Sequence, residues 1–363
     1  MPPTVLHCSL TREDHGSVPY LLAAHHRRDA AQGFSPRFVS YFERTAAWPG
    51  DCTSLAGHGW ETVGSLRRRF GAAATARPAD VVIYHDGWGL EWFAPLDAAR
   101  RRVVFLHTER PHIDALLRTY APQVDGFLAV SQGLADRVRR VLPDFPAERI
   151  GTVPLFFEVS AVAAGRAPAG PVRFGYAGRI VQAQKRMERL PALLAALDRR
   201  GVDYVFEVLG EGAYREELQR RLRAHPRVKF TGWQQGADYW RTLVGWRAIV
   251  LLSDYEGFSR AVLEGMAAGA IPVHPDFSAA AAELLGPAAA AGLYPVGDME
   301  AAADRLAALA RLSSAEAGTL GAAGSAHVGH LTPENYFARY GNFLRAILAL
   351  PPRARPGVAS RLA

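Results

Sequence analysis

The sequence predicts an α/β protein made of two Rossmann-like halves, each a doubly wound parallel sheet. Short aliphatic and β-branched runs alternate with longer segments of helical period from end to end, the pattern of repeated βαβ units. The 363 residues are too many for one ordinary core and suit two domains. Between the halves, Ala161–Gly170 is almost entirely Ala, Gly and Pro, a composition that usually connects domains.

In the first half, strands are expected at Thr4–Cys8, Phe34–Tyr41, Val81–Tyr84, Val103–His107, Gly126–Ser131 and Ile150–Val153, with helices over Tyr20–Gln32 and Gln132–Val141. The second half starts afresh with strand Val172–Tyr176, helix Met187–Arg199, strand Tyr204–Leu209 and helix Ala213–Ala224. Strand Val228–Thr231, helix Asp238–Val244 and strand Ala248–Leu252 follow. The Ala-rich stretches Ala279–Ala282 and Ala288–Ala291 lie among Glu283, Leu284, Leu285 and Leu293 at helical spacing and read as helix and loop. Over Pro333–Leu350, Tyr336, Phe337, Tyr340, Phe343, Leu344 and Leu348 form a one-sided stripe that must pack on something, and the last dozen residues read as frayed.

Composition narrows the function. Hydrophobic residues at 49% and charged residues at 21% describe a packed globular protein. The net charge of +7 is diffuse, with 18 basic against 16 acidic residues in 1–155 and 24 against 19 in 156–363. No basic stripe for nucleic acid is implied. Arg67-Arg68-Arg69 and Arg100-Arg101-Arg102 read as solvated faces, leaving at most a weak peripheral association with membranes. Cys8 and Cys52 have no metal-ligand spacing and imply no disulfide framework. No run of about 18 apolar residues occurs, and the first residues lack a basic region followed by an apolar stretch, so a cytoplasmic protein is expected.

Two constellations carry chemistry. In Leu251–Val273 a buried strand ends at Ser253, a loop presents Glu256, Gly257 and Phe258, and a helix leads to a Gly-rich turn and another strand. Ligands of open α/β sheets bind beyond the carboxyl ends of strands, so this loop is where a ligand belongs. Glu264 follows about two turns along the helix, and the main-chain N–H groups after Glu256 suit hydroxyl or phosphate oxygens. In the other constellation, Phe174–Ile180, a strand ends at Gly178 and puts Arg179 at the carboxyl edge, with Lys185 on the next loop or helix start. Two cations there suit a diphosphate. Lys185 and Lys229 are the only two lysines among 42 basic residues, so Lys185 points to a need for a compact ammonium.

The segments Tyr176-Ala177-Gly178-Arg179, Val208-Leu209-Gly210-Glu211-Gly212, Val228-Lys229-Phe230-Thr231-Gly232 and Glu256-Gly257-Phe258 to Glu264, in that order, resemble the donor domain of retaining GT-B glycosyltransferases of family 4. The likeness is strong over Val172–Val273 and weak in the first half. It implies a GT-B fold, with two Rossmann-like domains facing each other across a cleft. The corresponding ranges are 1–160 on the acceptor side, 171–330 for the nucleotide-sugar donor, and 331–350 as a helix crossing back to the first domain.

By that resemblance Arg179 and Lys185 hold the donor diphosphate and stabilise it as a leaving group. Glu264 accepts the ribose hydroxyls, Glu256 with the amides of Gly257 and Phe258 binds the sugar, and Gly232 and Trp233 lie near the base. Strand Val103–Leu106 ends in His107-Thr108-Glu109-Arg110, which resembles the strand carrying the family's active-site histidine, so His107 is expected to hold a sugar hydroxyl. His85-Asp86-Gly87-Trp88 also follows a strand and is a candidate for the acceptor side, and Gly16 is a candidate for a first βα turn approaching the diphosphate. Departures from the family's commoner pattern are Ser259-Arg260 after Phe258 and Gly265 after Glu264.

The expected activity is transfer of a sugar, most simply a hexose, from a nucleoside-diphosphate sugar to a hydroxyl of a small molecule, lipid or glycan, with no cofactor. No Asp-x-Asp pair occurs, so no metal is expected. A sugar-nucleotide epimerase or phosphorylase, and a non-catalytic nucleotide-sugar-binding subunit, are the competing readings. An NAD-dependent oxidoreductase calls for Gly-x-Gly-x-x-Gly after the first strand of a half, and neither half has it.

Overall fold

The computed structural model describes residues 1–11, 16–43, 52–58, 60–159, 170–277 and 279–355. The connecting stretch expected over Ala161–Gly170 lies outside the described residues except for Gly170, as do residues 356–363 of the tail. The chain forms two compact units, one of Met1–Pro154 with Glu334–Ala363 and one of Leu155–Pro333.

The first unit holds seven strands: β1 (Thr4–Ser9), β2 (Ser35–Ser40), β3 (Cys52–Ser54), β4 (Val81–His85), β5 (Arg101–Leu106), β6 (Gly126–Ala129) and β7 (Ile150–Thr152). They form one parallel sheet in the order β3-β2-β1-β4-β5-β6-β7. The second unit holds β8 (Val172–Ala177), β9 (Tyr204–Leu209), β10 (Val228–Gly232), β11 (Ala248–Val250), β12 (Ile271–Pro275) and β13 (Leu293–Tyr294), parallel in the order β10-β9-β8-β11-β12-β13. Central strands are buried on both faces, which is why Val81-Val82-Ile83-Tyr84 and Val103-Val104-Phe105-Leu106 are unbroken apolar runs.

Differences from the sequence reading fall at edges and ends. The strands β3 and β13, three and two residues long, carry too little periodicity to stand out. Strand β5 stops at Leu106, so His107 is the first residue beyond it. The helix expected from Met187 opens as a 3-10 turn, Met187–Arg189, and becomes α-helical at Leu190. The helix expected over Tyr20–Gln32 covers Ser17–Arg28 and is followed by a 3-10 turn, Ala30–Gln32.

The last helix, Pro333–Ala349, belongs from Glu334 onward to the first unit. Its buried stripe is Tyr336, Phe337, Tyr340, Leu344 and Ile347. The 3.6-residue period puts Ile347 rather than Leu348 on that face, and the Arg101 Nε donates to the Ile347 carbonyl at 3.0 Å.

One packing contact tests the second sheet. A Cβ on Gly175 of β8 would meet the Trp246 ring at 2.1 Å, and the Trp246 indole N–H in turn donates to the buried Glu207 Oε2 at 2.7 Å. Gly175→Ala is therefore expected to cost about 1–3 kcal/mol in urea unfolding. At the exposed helical position Gly318 nothing lies within 4 Å of the built Cβ, and Gly318→Ala should stabilise by about 0.5–1 kcal/mol. Equal effects at the two positions would contradict this packing.

Candidate functional site

In the second sheet the strand order turns outward on both sides of the β8/β11 boundary. The carboxyl ends of these two strands flank the crevice where open α/β sheets take ligands. Strand β8 delivers Gly178 and then Arg179, whose side chain is exposed and whose carbonyl accepts from the Tyr176 hydroxyl at 2.7 Å. Beyond β11 come Ser253 and Glu256, both buried.

Glu256 is the hub. Its Oε1 accepts from the Lys185 ammonium at 2.5 Å and from the Ser253 hydroxyl at 2.7 Å, and its Oε2 accepts from the Gln184 amide at 3.2 Å. Gln184 also donates to the Tyr255 carbonyl at 3.3 Å and accepts from Arg179 Nη2 at 3.4 Å. Arg179, Gln184, Lys185, Ser253 and Glu256 are thus one network. Lys185 lies between two residues in the left-handed region, Gln184 at φ 66° and Arg186 at φ 52°, a conformation that side chains disfavour and that clusters at binding sites. Asp254 fixes the loop by pairing with Arg186 and, at 2.6 Å, with Arg189. Burial pushes the Asp254 carboxyl up, but the hydrogen bonds from the two arginines hold it below the usual range.

Glu264 sits apart from that network, on the helix Arg260–Ala267. Its Oε2 accepts from the Tyr239 hydroxyl at 2.5 Å and its Oε1 faces Arg260 Nε at 3.3 Å. Burial pushes its carboxyl up, against the opposing charge of Arg260 and the Tyr239 hydrogen bond. The two departures in this stretch acquire local reasons: Arg260 partners Glu264, and a Cβ on Gly265 would meet the Ile249 side chain at 2.8 Å. Gly257 and Phe258 are buried in the loop before this helix, whose cap residue Ser259 makes no side-chain capping bond. Gly232, at φ 74°, ends β10, two strands from β8, and Trp233 follows it at the same carboxyl edge.

The first unit concentrates histidines at the matching edge of its own sheet, from β1, β4 and the end of β5. His107 Nε2 lies 2.8 Å from His85 Nδ1, and His85 Nε2 lies 3.1 Å from His7 Nδ1. His7 Nε2 lies 3.2 Å from Asp29 Oδ2, while Asp29 Oδ1 lies 2.8 Å from His25 Nδ1. His25 Nε2 closes the chain at 2.9 Å from the Tyr336 hydroxyl of the last helix. The His107 main-chain N–H donates to Asp86 Oδ1 at 2.6 Å, and Asp86 Oδ2 pairs with Arg110 at 2.8 Å, whose guanidinium lies over the Trp88 ring. Gly16 has an extended backbone, φ 176°, and room for a side chain among the described residues, none of which demands glycine there.

Burial depresses the His7 imidazole to about 4, assisted by His25 and opposed by Asp29. Burial also takes His107 to about 4 despite Asp86, and puts His85 well below the usual imidazole range. His7, His25 and Asp29 offer three ligand atoms within 4.8 Å of one another, the one such group among the described residues. Each of those atoms already takes part in a hydrogen bond. Sequence reasoning placed His107 and His85 but missed His7, His25, Asp29, Gln184, Ser253 and Tyr239. The Rossmann strand order, which puts β1, β4 and β5 side by side, was the signal for His7.

Residues 171–311 match the family model for glycosyl transferases group 1. The matched segment runs from β8 through the helix Met299–Arg311 and contains Arg179, Lys185, Gly232, Trp233, Glu256 and Glu264. Solved structures resemble the chain over nearly its whole length. A glycosyltransferase from Rickettsia africae is 14% identical, covers 96% of this chain and 99% of its own, and has a TM-score of 0.73. HepE from Anabaena, solved with UDP and glucose, is 16% identical with coverage of 95% and 100% and a TM-score of 0.72. The lipopolysaccharide outer core galactosyltransferase WaaB is 18% identical with coverage of 94% and 99% and a TM-score of 0.69. The fold is the two-domain GT-B fold. No curated protein matches the sequence. No helix among the described residues is long and apolar enough to cross a membrane.

The buried histidines set a pH dependence. Their folded values, about 4 for His7 and His107, lie below the unfolded value of 6.5, so the folded state resists protonation. The stability this contributes is complete above pH 6.5 and is lost as pH falls toward about 4. The melting temperature should therefore fall measurably between pH 6.5 and 5, before most carboxylates titrate. A flat profile across that window would show that these imidazoles are not held neutral.

Proposed function

We propose that the chain is a glycosyltransferase that moves a sugar, most simply a hexose, from a nucleoside-diphosphate sugar to an acceptor hydroxyl. The observation that carries this reading is the acceptor capacity left on the two glutamates, Glu256 and Glu264, within the segment that matches the glycosyl transferases group 1 model. Each carboxylate oxygen has two lone-pair positions. On Glu264, the Tyr239 hydroxyl occupies one position on Oε2 and the Arg260 guanidinium pairs with Oε1 without a hydrogen bond, so each oxygen keeps a position for one of two neighbouring ribose hydroxyls. On Glu256, Oε1 is filled by Lys185 and Ser253, while Oε2 takes only Gln184 and keeps a position for a sugar hydroxyl.

Arg179 and Lys185 supply the positive charge for the diphosphate, where negative charge grows as the glycosidic bond breaks. The amides of Gly257 and Phe258 add donors for the sugar, and Gly232 and Trp233 flank the base. His107 holds a sugar hydroxyl, and Gly16 is kept as a diphosphate candidate only. Retention follows the family reading, in which the acceptor enters on the face the nucleotide leaves and the departing phosphate takes its proton. With two cations in place the reaction needs no metal ion. HepE bound to UDP and glucose supports a nucleotide-sugar donor. The acceptor is a small molecule, lipid or glycan, and the cytoplasm, where nucleotide sugars are made, is the site of action.

Calorimetry with UDP, GDP and ADP tests the donor site. The best ligand should bind Glu264→Ala roughly tenfold or more weakly, since losing hydrogen bonds to a charged group costs about 1.5–3 kcal/mol. Lys185→Ala should weaken the diphosphate forms more than the free nucleoside. Unchanged affinity in both variants, with circular dichroism showing an intact fold, would remove the site.

Turnover of the matching sugar nucleotide should survive excess EDTA. Loss on chelation, restored by manganese or magnesium, would instead require a metal ion.

A further inference from the structure

The histidine chain of the first unit has a direction, and that direction fixes what His107 can do. A carboxylate only accepts hydrogen bonds. Asp29 therefore obliges His7 to carry its proton on Nε2, across the 3.2 Å contact. Nδ1 of a neutral His7 is then an acceptor, so His85 must donate from Nε2 across 3.1 Å. By the same step His85 Nδ1 accepts, and His107 must donate from Nε2 across 2.8 Å. What remains is His107 Nδ1, a lone pair buried from solvent and without a partner among the described residues.

We propose that Asp29, His7 and His85 are positioning residues that lock His107 as its Nε2–H tautomer, so that Nδ1 serves only as an acceptor for a hydroxyl hydrogen. The identity of that hydroxyl as a sugar hydroxyl rests on the function proposed above; the lock does not. Reversing the chain would set a lone pair of His7 Nε2 against the Asp29 carboxylate at 3.2 Å, with the more distant Tyr340 hydroxyl, at 3.4 Å, the one group left to donate to it among the described residues. Burial favours a protonated Asp29, but His25 and His7 outweigh it and hold the carboxyl at about 2. Burial keeps the three relay imidazoles neutral as well, so no extra proton blurs the order. An unmet buried acceptor is destabilising, a cost that an incoming O–H relieves and a phosphate or carboxylate oxygen, bringing no hydrogen, does not. His107 is thereby selective for hydroxyls over anions.

Two-bond ¹H–¹⁵N spectra of the ¹⁵N-histidine-labelled full chain at pH 7.5 read the tautomers directly, with His107 assigned from the signal lost in His107→Gln. The wild type should show Nε2–H alone at His7, His85 and His107. His85→Phe, which keeps the ring shape but cuts the relay, should give His107 a mixture of tautomers. Asp29→Asn, whose amide can donate to His7, should move the His107 proton toward Nδ1; if that variant does not fold, the other two spectra still decide. A wild-type His107 carrying Nδ1–H, or a pure Nε2–H form persisting in His85→Phe, would overturn the lock. A divalent ion on His7, His25 and Asp29 would occupy His7 Nε2 and reverse every proton in the chain, so an Nδ1–H signal that EDTA abolishes also overturns it. Absence of nucleotide binding would refute the donor site and leave these tautomers unchanged.

Discussion

The ion pair between Lys185 and Glu256 is the contact on which the second unit's carboxyl edge depends. Both side chains are mostly withdrawn from water, at 14% and 9% exposure, so each charge is tolerable only because the other is there. The rest of the loop geometry serves that pairing. Strand β11 sets Ser253 beneath the carboxylate, Asp254 anchors Arg186 and Arg189, and the left-handed residues on either side of Lys185 turn its ammonium inward. Under the proposed function a diphosphate would compete with Glu256 for that ammonium, a cation already held in position by the ion pair, which would lower the ordering cost of binding.

The first unit solves a related problem differently. Asp29 is withdrawn from water with no Lys or Arg beside it in the relay, and its charge is met by imidazole N–H groups. On the proposed lock each imidazole passes the polarity along, so one buried carboxylate orders side chains on β1, on β4 and just beyond β5. Tyr336 and Tyr340 from the last helix close over this centre, with the Tyr340 ring 4.5 Å from that of His25. Residues from opposite ends of the sequence thus share one polar core. Such networks are worth having only when every member is satisfied, which makes the single open position on His107 informative.

Much of this was legible in the sequence because the relevant signals are local. Periodicity marked the central strands, and Tyr204–Leu209 was placed to the residue. The Gly178-Arg179 turn and the Glu256 loop were readable because a strand followed by such residues has few structural uses. What escaped depends on tertiary proximity. Gln184 is an ordinary polar residue until the left-handed turn brings its amide to Glu256, and Tyr239 looks like a helix-surface aromatic until it meets Glu264. His7 reads as part of a buried strand, and only strand order reveals that its neighbours are also histidines. Edge strands β3 and β13 were missed because two or three residues carry no period.

On the proposed function, Arg179 and Lys185 hold a nucleoside diphosphate beyond the carboxyl ends of β8 and β11. A crystal structure of the full chain with the tightest-binding nucleoside diphosphate tests it most directly. Phosphate oxygens are expected on Arg179 and Lys185, ribose hydroxyls on Glu264, and Glu256 still held by Ser253 and Gln184. Density for the nucleotide elsewhere, with Lys185 and Glu264 making only the contacts they make without it, would show that this edge is not the donor site.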